Sequence, residues 1–172
     1  MPKIIENIRE NLLTEARRQV MELGYAAMTI RSVAKACGVG VGTVYNYFPS
    51  KDILVASFML ADWQRCLQKI NVGCGAAVET ALKCVYVELR QFMEQHTTLF
   101  QDESAGVSFA TALPERHGQL RRQIAEPLLK FCEKQNRTNP EFLAEFVAES
   151  MLTWTLAGRS YEEISSILLQ LF

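Results

Sequence analysis

The chain has 172 residues, 49% of them hydrophobic and 22% charged, with a formal net charge of −1. This is the composition of a globular protein, and it excludes a surface that holds nucleic acid by bulk positive charge. No apolar run approaches the roughly 20 residues that span a bilayer. The opening Met1-Pro-Lys-Ile-Ile-Glu-Asn7 lacks the continuous apolar core of a secretory signal, so the expectation is a cytoplasmic protein with no membrane partner.

Residues 3–23 carry Ile5, Ile8, Leu12, Ala16, Val20 and Leu23 at three- and four-residue steps, which predicts an amphipathic helix closed by Gly24. Thr29 caps a second helix with Ile30, Val33 and Ala34 inward. Gly38 supplies a turn at positive φ. A third helix follows over about residues 41–48. Val44 and Phe48 lie on one side of it, Gly42, Thr43 and Asn46 opposite, and Tyr45 and Tyr47 on the flanks, before Pro49 ends it.

Ser50 caps a long helix over about 51–70, with Asp52 in its first turn. Gly73 and Gly75 break the chain. Val78, Leu82, Val85, Leu89 and Phe92/Met93 then mark another helix. Residues 97–113 read as a loop with a short helix. A helix opening at Pro114-Glu115 places Leu120, Ile124, Leu128 and Phe131 inward, with Pro127 inside it as a kink. Asn139-Pro140 starts the next helix, which Gly158 stops, and Ser160 to Glu163 forms a capping box for the last. No stretch alternates with period two, so no sheet is expected. The fold class is all-α with about nine helices. An N-terminal three-helix helix-turn-helix domain (residues 1–50, homeodomain-like) precedes a helical bundle (residues 51–172).

The charges divide unevenly. Residues 1–52 hold seven basic residues (3, 9, 17, 18, 31, 35 and 51) against five acidic (6, 10, 15, 22 and 52), while the remainder holds 11 against 14. Any grip on phosphate must come from placing a few groups well. Cysteines at 37, 66, 74, 84 and 132 include no Cys-x-x-Cys pair and no nearby histidine at finger spacing. Reduced, mostly buried thiols are therefore expected, with no metal, no cofactor and no disulfide framework. His96 and His117 read as surface or partly buried residues, and Arg121-Arg122 as a solvated or ion-paired face.

The run Gly38-Val39, Gly42-Thr43-Val44-Tyr45, Tyr47-Phe48, Ser50-Lys51, together with Leu12-Leu13, Ala16, Gly24-Tyr25, Thr29-Ile30, Val33-Ala34 and Leu54, resembles the TetR family of bacterial transcriptional regulators. The resemblance covers the first third of the chain. It implies that about residues 29–36 support a recognition helix at 40–48. It also implies that Thr29, Thr43, Tyr45 and Lys51 touch DNA phosphates, and that Arg31, Val41, Gly42, Asn46 and Tyr47 approach base edges. The chemistry is suitable: hydroxyls and an ammonium donate to phosphate oxygens, and an arginine fork matches guanine. Gly40 stands where the family often carries serine.

The family implies a dimer on a palindromic operator, released by a small ligand. Phe142, Phe146, Met151, Trp154, Ile164, Ile167, Leu168 and Leu171 offer more apolar surface than two terminal helices need for one side of a core. A homodimeric four-helix bundle is therefore expected there. Trp63, Tyr86, Phe92, Met93, Phe100, Phe109 and Phe131 are the candidates to line a cavity for a small apolar or aromatic ligand. The alternative is a dimeric DNA-binding regulator without an inducer, whose body is scaffold only or which activates. An enzyme finds no support: the sequence offers no nucleophile–base set and no metal-ligand spacing.

Overall fold

The computed structural model describes residues 7–75, 77–101 and 113–172, with backbone only for 101 and 113–116. Among these lie nine α-helices: α1 (Ile8–Leu23), α2 (Ile30–Ala36), α3 (Val41–Tyr47), α4 (Lys51–Gly73), α5 (Val78–Gln95), α6 (Thr97–Gln101), α7 (Leu113–Lys134), α8 (Pro140–Leu156) and α9 (Tyr161–Leu168). A 3-10 turn, Leu169–Leu171, follows. The described residues contain no strand, and none of their helices is long and apolar enough to cross a membrane. Ile5 and Phe109 lie outside the described residues.

The chain forms two compact units. The first runs through Asp62 and resumes at Gln95, taking in α6. The second comprises Trp63–Glu94 and the helices from α7 onward. The division thus falls inside α4, whereas the sequence-based boundary between residues 50 and 51 stands at that helix's start.

The first unit closes around Leu12, Ala16 and Val20 of α1, Ile30, Val33 and Ala34 of α2, Val44 and Phe48 of α3, and Leu54, Val55 and Phe58 of α4. Tyr25 and Met28, from the α1–α2 connection, also belong to this core. Leu23 does not. It is 59% exposed, because the inward stripe of α1 ends at Val20, one turn before the helix does.

Local chemistry sets the ends of α2. Thr29 Oγ1 accepts from the Ser32 amide at 3.0 Å, and Ser32 Oγ accepts from the Thr29 amide at 3.1 Å, so two otherwise orphaned donors are satisfied. At the other end, the Gly38 amide donates to Lys35 O (3.2 Å) and the Val39 amide to Ala34 O (3.0 Å). That pair of bonds needs a left-handed residue, and Gly38 supplies it at φ +66.

A buried polar cluster ties α1 to α4 and to the residue that links α5 and α6. Arg17 Nη2 donates to Asp62 Oδ1 at 2.5 Å, and His96 Nε2 lies 3.2 Å from Asp62 Oδ2. His96 stacks on Phe58 with ring centroids 6.1 Å apart, and the Arg17 guanidinium lies over the same ring. His96 is buried, a correction to the surface or partly buried position expected for it. A polar ring enters a core when a carboxylate and an arene receive it, and these partners are distant in sequence.

The second unit packs Trp63, Cys66 and Ile70 of α4, Leu82, Val85 and Leu89 of α5, and Ile124 and Leu128 of α7 against Ala144, Val147, Ala148, Met151 and Leu152 of α8 and Ile164 and Leu168 of α9. At the close of α4, a Cβ on Gly73 would stand 2.3 Å from Cys84 Sγ. Glycine here admits the α5 thiol rather than merely breaking the helix. The Ser160–Glu163 capping box forms with bonds of 2.9 and 3.2 Å. All five cysteines are free, and Cys66, Cys74 and Cys132 are buried. Burial pushes the Cys66 and Cys74 thiols up to about 12.

Two outcomes follow. Asp62→Asn removes the charge that Arg17 faces and destabilises the protein by about 3 kcal/mol, read as a lowered urea midpoint. In the native protein at pH 8, Cys66 and Cys74 stay unreactive toward a disulfide exchange reagent and react on unfolding, because the thiolate is the nucleophile.

Candidate nucleic-acid interface

Helix α3 is built as a two-sided rod. Val44 is fully buried and Phe48, its C-terminal cap residue, is 1% exposed. The opposite side carries Val41 (37% exposed), Tyr45 (50%) and Tyr47 (44%), together with exposed Gly42 and Asn46 and half-buried Thr43. Burying the apolar pair obliges the hydroxyl, phenol and amide groups to face water. Gly40 precedes the helix without a side-chain cap. The Gly40 carbonyl accepts from the Thr43 amide at 2.9 Å. The missing serine hydroxyl therefore leaves this helix start to the backbone alone.

Helix α2 supports that rod. Ser32 Oγ donates to Gln19 Oε1 of α1 at 2.5 Å, which fixes α2 on its neighbour. Arg31 is exposed beside the capping Thr29, also exposed. The Thr29 oxygen is used as a cap acceptor, and its hydroxyl hydrogen remains for a further acceptor.

Lys51 opens α4, whose first turn is capped by Ser50: its Oγ accepts from the Ile53 amide at 3.1 Å. The Lys51 ammonium lies 4.1 Å from the centroid of the Tyr25 ring and donates to Ala26 O at 3.5 Å. Tyr25 in turn hydrogen-bonds Asp52. The aromatic ring thus supports the cation. Tyr25 is a supporting residue that periodicity does not reveal, since it stands in a connection between helices.

The cations of the first unit sort into two groups. Arg17 is bound by Asp62, and Arg18 by Glu15 at 2.6 Å and by Glu22. The Arg18 hydrogen bond holds the Glu15 carboxyl below its ordinary value. Arg9, Arg31 and Lys35 are exposed and form no ion pair among the described residues; Glu10 is likewise unpaired. Carboxylates thus quench the α1 cations that face Asp62, Glu15 and Glu22, and the net charge understates what α2, α3 and the start of α4 can offer.

The other candidate residues fall into different settings. Met151, Ile164 and Leu168, expected in the dimer surface, pack in the protein's own core. Phe142 (65% exposed), Phe146, Trp154, Ile167 (65%) and Leu171 remain exposed. The reason is angular: α8 turns Ala144, Val147, Ala148, Met151 and Leu152 inward, so Phe142, Phe146 and Trp154 fall on its far side. A groove of about 320 Å³ runs along α8 and α9, lined by Phe146, Ser150, Trp154, Arg159, Glu163, Ile164, Ile167 and Leu168.

Of the ligand-pocket candidates, Trp63 lies in the core of the second unit, and Tyr86 and Phe92 pack against it. Trp63 meets Phe92 edge-on at 5.3 Å, Tyr86 pairs with Tyr161 at 5.6 Å, and Phe131 with Phe172 at 6.0 Å. Met93 is half-buried. Phe100 belongs to the first unit and contacts His96.

A three-helix core with a short polar-faced third helix is the architecture of helix-turn-helix regulators. Residues 12–58 match the model of bacterial regulatory proteins, tetR family. The chain is 31% identical over 63 residues to the HTH-type transcriptional regulator UidR of Escherichia coli, covering 37% of this chain and 32% of that protein. It is 31% identical over 91 residues to the HTH-type transcriptional repressor KstR of Mycolicibacterium smegmatis, covering 52% and 45%. The matches thus span about a third to a half of these relatives. A transcriptional regulator from Cytophaga hutchinsonii shares the fold, with a TM-score of 0.69 at 17% identity over 94% of this chain and 93% of that one. The tetR-family match thus covers residues 12–58, and the Cytophaga neighbour shows the fold over nearly the whole chain.

Proposed function

We propose that the protein is a dimeric transcriptional repressor that binds a palindromic DNA operator and is released by a small ligand. The observation that carries DNA binding is α3 itself: Val44 and Phe48 are buried while Val41, Tyr45, Asn46 and Tyr47 stand exposed on the same seven-residue rod. In this reading Thr29, Thr43, Tyr45 and Lys51 hold phosphates, and Arg31, Val41, Gly42, Asn46 and Tyr47 read bases. One such helix reads too few base pairs to discriminate. Two copies set roughly 34–36 Å apart read a palindrome.

The exposed stripe of Phe142, Phe146, Trp154, Ile167 and Leu171 supports pairing of the last two helices across a twofold axis. Release works by population shift: a ligand that prefers the dimer form unable to span the operator lowers DNA affinity tenfold for about 1.4 kcal/mol of differential binding. Helix α4 is covalently continuous from the first unit into the second, so a change in one has a path to the other.

A second reading, regulation without an inducer, is favoured by the ring pairs Trp63–Phe92, Tyr86–Tyr161 and Phe131–Phe172, which occupy the aromatic candidates with one another. A thermal-shift screen of small apolar and aromatic molecules separates the two: stabilisation accompanied by loss of DNA binding supports release, and a screen with no stabiliser supports the scaffold.

Selection from a random DNA pool enriches a palindrome if the principal reading holds; enrichment of no sequence overturns it. Lys51→Ala makes the dependence of log K on log salt shallower by about 0.9 on every duplex. Tyr47→Ala or Arg31→Ala costs about 1–3 kcal/mol on the selected site and relaxes preference at particular bases. Phe146→Asp or Trp154→Asp converts the dimer to monomer in sedimentation while leaving the helical circular dichroism intact.

A further inference from the structure

We propose that Asp62 and His96 are positioning residues for the DNA-reading helices: their polar contact is the lock through which the second unit sets the seating of α1. The proposal rests on the DNA-binding reading and goes beyond the covalent continuity of α4.

Among the described residues the chain crosses between its two units twice, from Asp62 to Trp63 within α4 and from Glu94 to Gln95 at the end of α5. Side chains on either side of each crossing are committed to different units. Trp63 belongs to the core of the second unit. Its Nε1 donates to Gln123 Oε1 of α7 at 2.7 Å, and its ring meets Phe92 of α5 edge-on at 5.3 Å. One residue earlier, Asp62 is buried in the first unit, where it accepts from Arg17 of α1 at 2.5 Å and lies 3.2 Å from His96 Nε2. His96, four residues after Phe92, is 2% exposed. Its carbonyl accepts from the Leu99 and Phe100 amides at 3.0 and 3.1 Å, the bonds that start α6. The same two stretches of chain are thus held together on each side of the crossing, by an aromatic pair in the second unit and by a carboxylate–imidazole contact in the first.

The two contacts differ in what they tolerate. Ring pairs accept both offset and edge-on geometries, whereas a buried carboxylate that loses a partner is left with desolvated charge. A shift of Trp63 against Phe92 is therefore resisted at Asp62, and Arg17 moves with Asp62. Arg17 lies on α1, whose Leu12, Ala16 and Val20 share one core with Val33 of α2 and with Val44 and Phe48 of α3. The seating of α1 in that core orients the recognition helix. Coupling between two sites is reciprocal. Duplex held by α3 is therefore felt at Trp63, and no ligand of the second unit is needed to see it.

The test labels the full chain with 5-fluorotryptophan and assigns its two tryptophan resonances with Trp154→Phe. Adding the pool-selected duplex shifts the Trp63 resonance of the parent. His96→Phe keeps an aromatic ring beside Phe58 and removes the nitrogen beside Asp62. It binds duplex with the parent's salt slope and loses the Trp63 shift. Arg17→Gln, on the other side of Asp62, gives the same loss and serves as the readout should His96→Phe not melt cooperatively. A shift that survives in these variants while only their melting temperature falls marks a purely structural cluster and overturns the proposal. A parent that binds duplex without moving Trp63 sinks the lock alone. A parent that binds no duplex at all sinks the DNA-binding reading and the lock with it.

Discussion

A helix of seven residues has almost no stability of its own, and α3 exists because Val44 and Phe48 are buried against α1 and α2. That burial decides more than the helix's survival. It fixes the rotation of the rod, so the direction in which Thr43, Tyr45, Asn46 and Tyr47 project is set by two apolar side chains on the other side. The capped start of α2, the left-handed Gly38 and the Ser32–Gln19 bond all hold the supporting helix where it can receive Val44 and Phe48. Any change that loosens the cradle misaims the polar face before it unfolds the protein.

Electrostatics follows the same economy. A head with two excess positive charges by sequence concentrates its usable ones by spending carboxylates elsewhere. Glu15 and Glu22 take Arg18, and Asp62 takes Arg17. Among the described residues the cations of α2, Arg31 and Lys35, form no such pair. Asp52 contributes indirectly, through the phenol of Tyr25 on which Lys51 rests.

The fold was legible where the signal is local. Thr29, Gly38, Ser50 and the Ser160–Glu163 pair announce helix ends because the bonds they make reach only a few residues, and all of them form. The two sides of α3 were legible because a 3.6-residue period needs no knowledge of the partner. Long-range matters were not. Leu23 continues the α1 pattern past the elements that bury it. Met151, Ile164 and Leu168 share apolar character with Phe146 and Trp154, and composition cannot say which side of a largely apolar helix faces its own core. His96 owes its burial to Asp62 and Phe58, partners brought to it by the turn after α5. Within the interface, Tyr25 was missed as a support for the same reason: its role is to touch a residue from another element.

The return of the chain to its first unit after α5 bears on modularity. Leu99 belongs to the first core, and His96 meets the carboxylate that also holds Arg17. A fragment ending at Asp62 would carry every side chain of the recognition surface yet lack the plug that completes its interior. Grafting this reader onto another protein therefore means transplanting two stretches of sequence, or designing a new stopper for the hole that Leu99 and His96 leave behind.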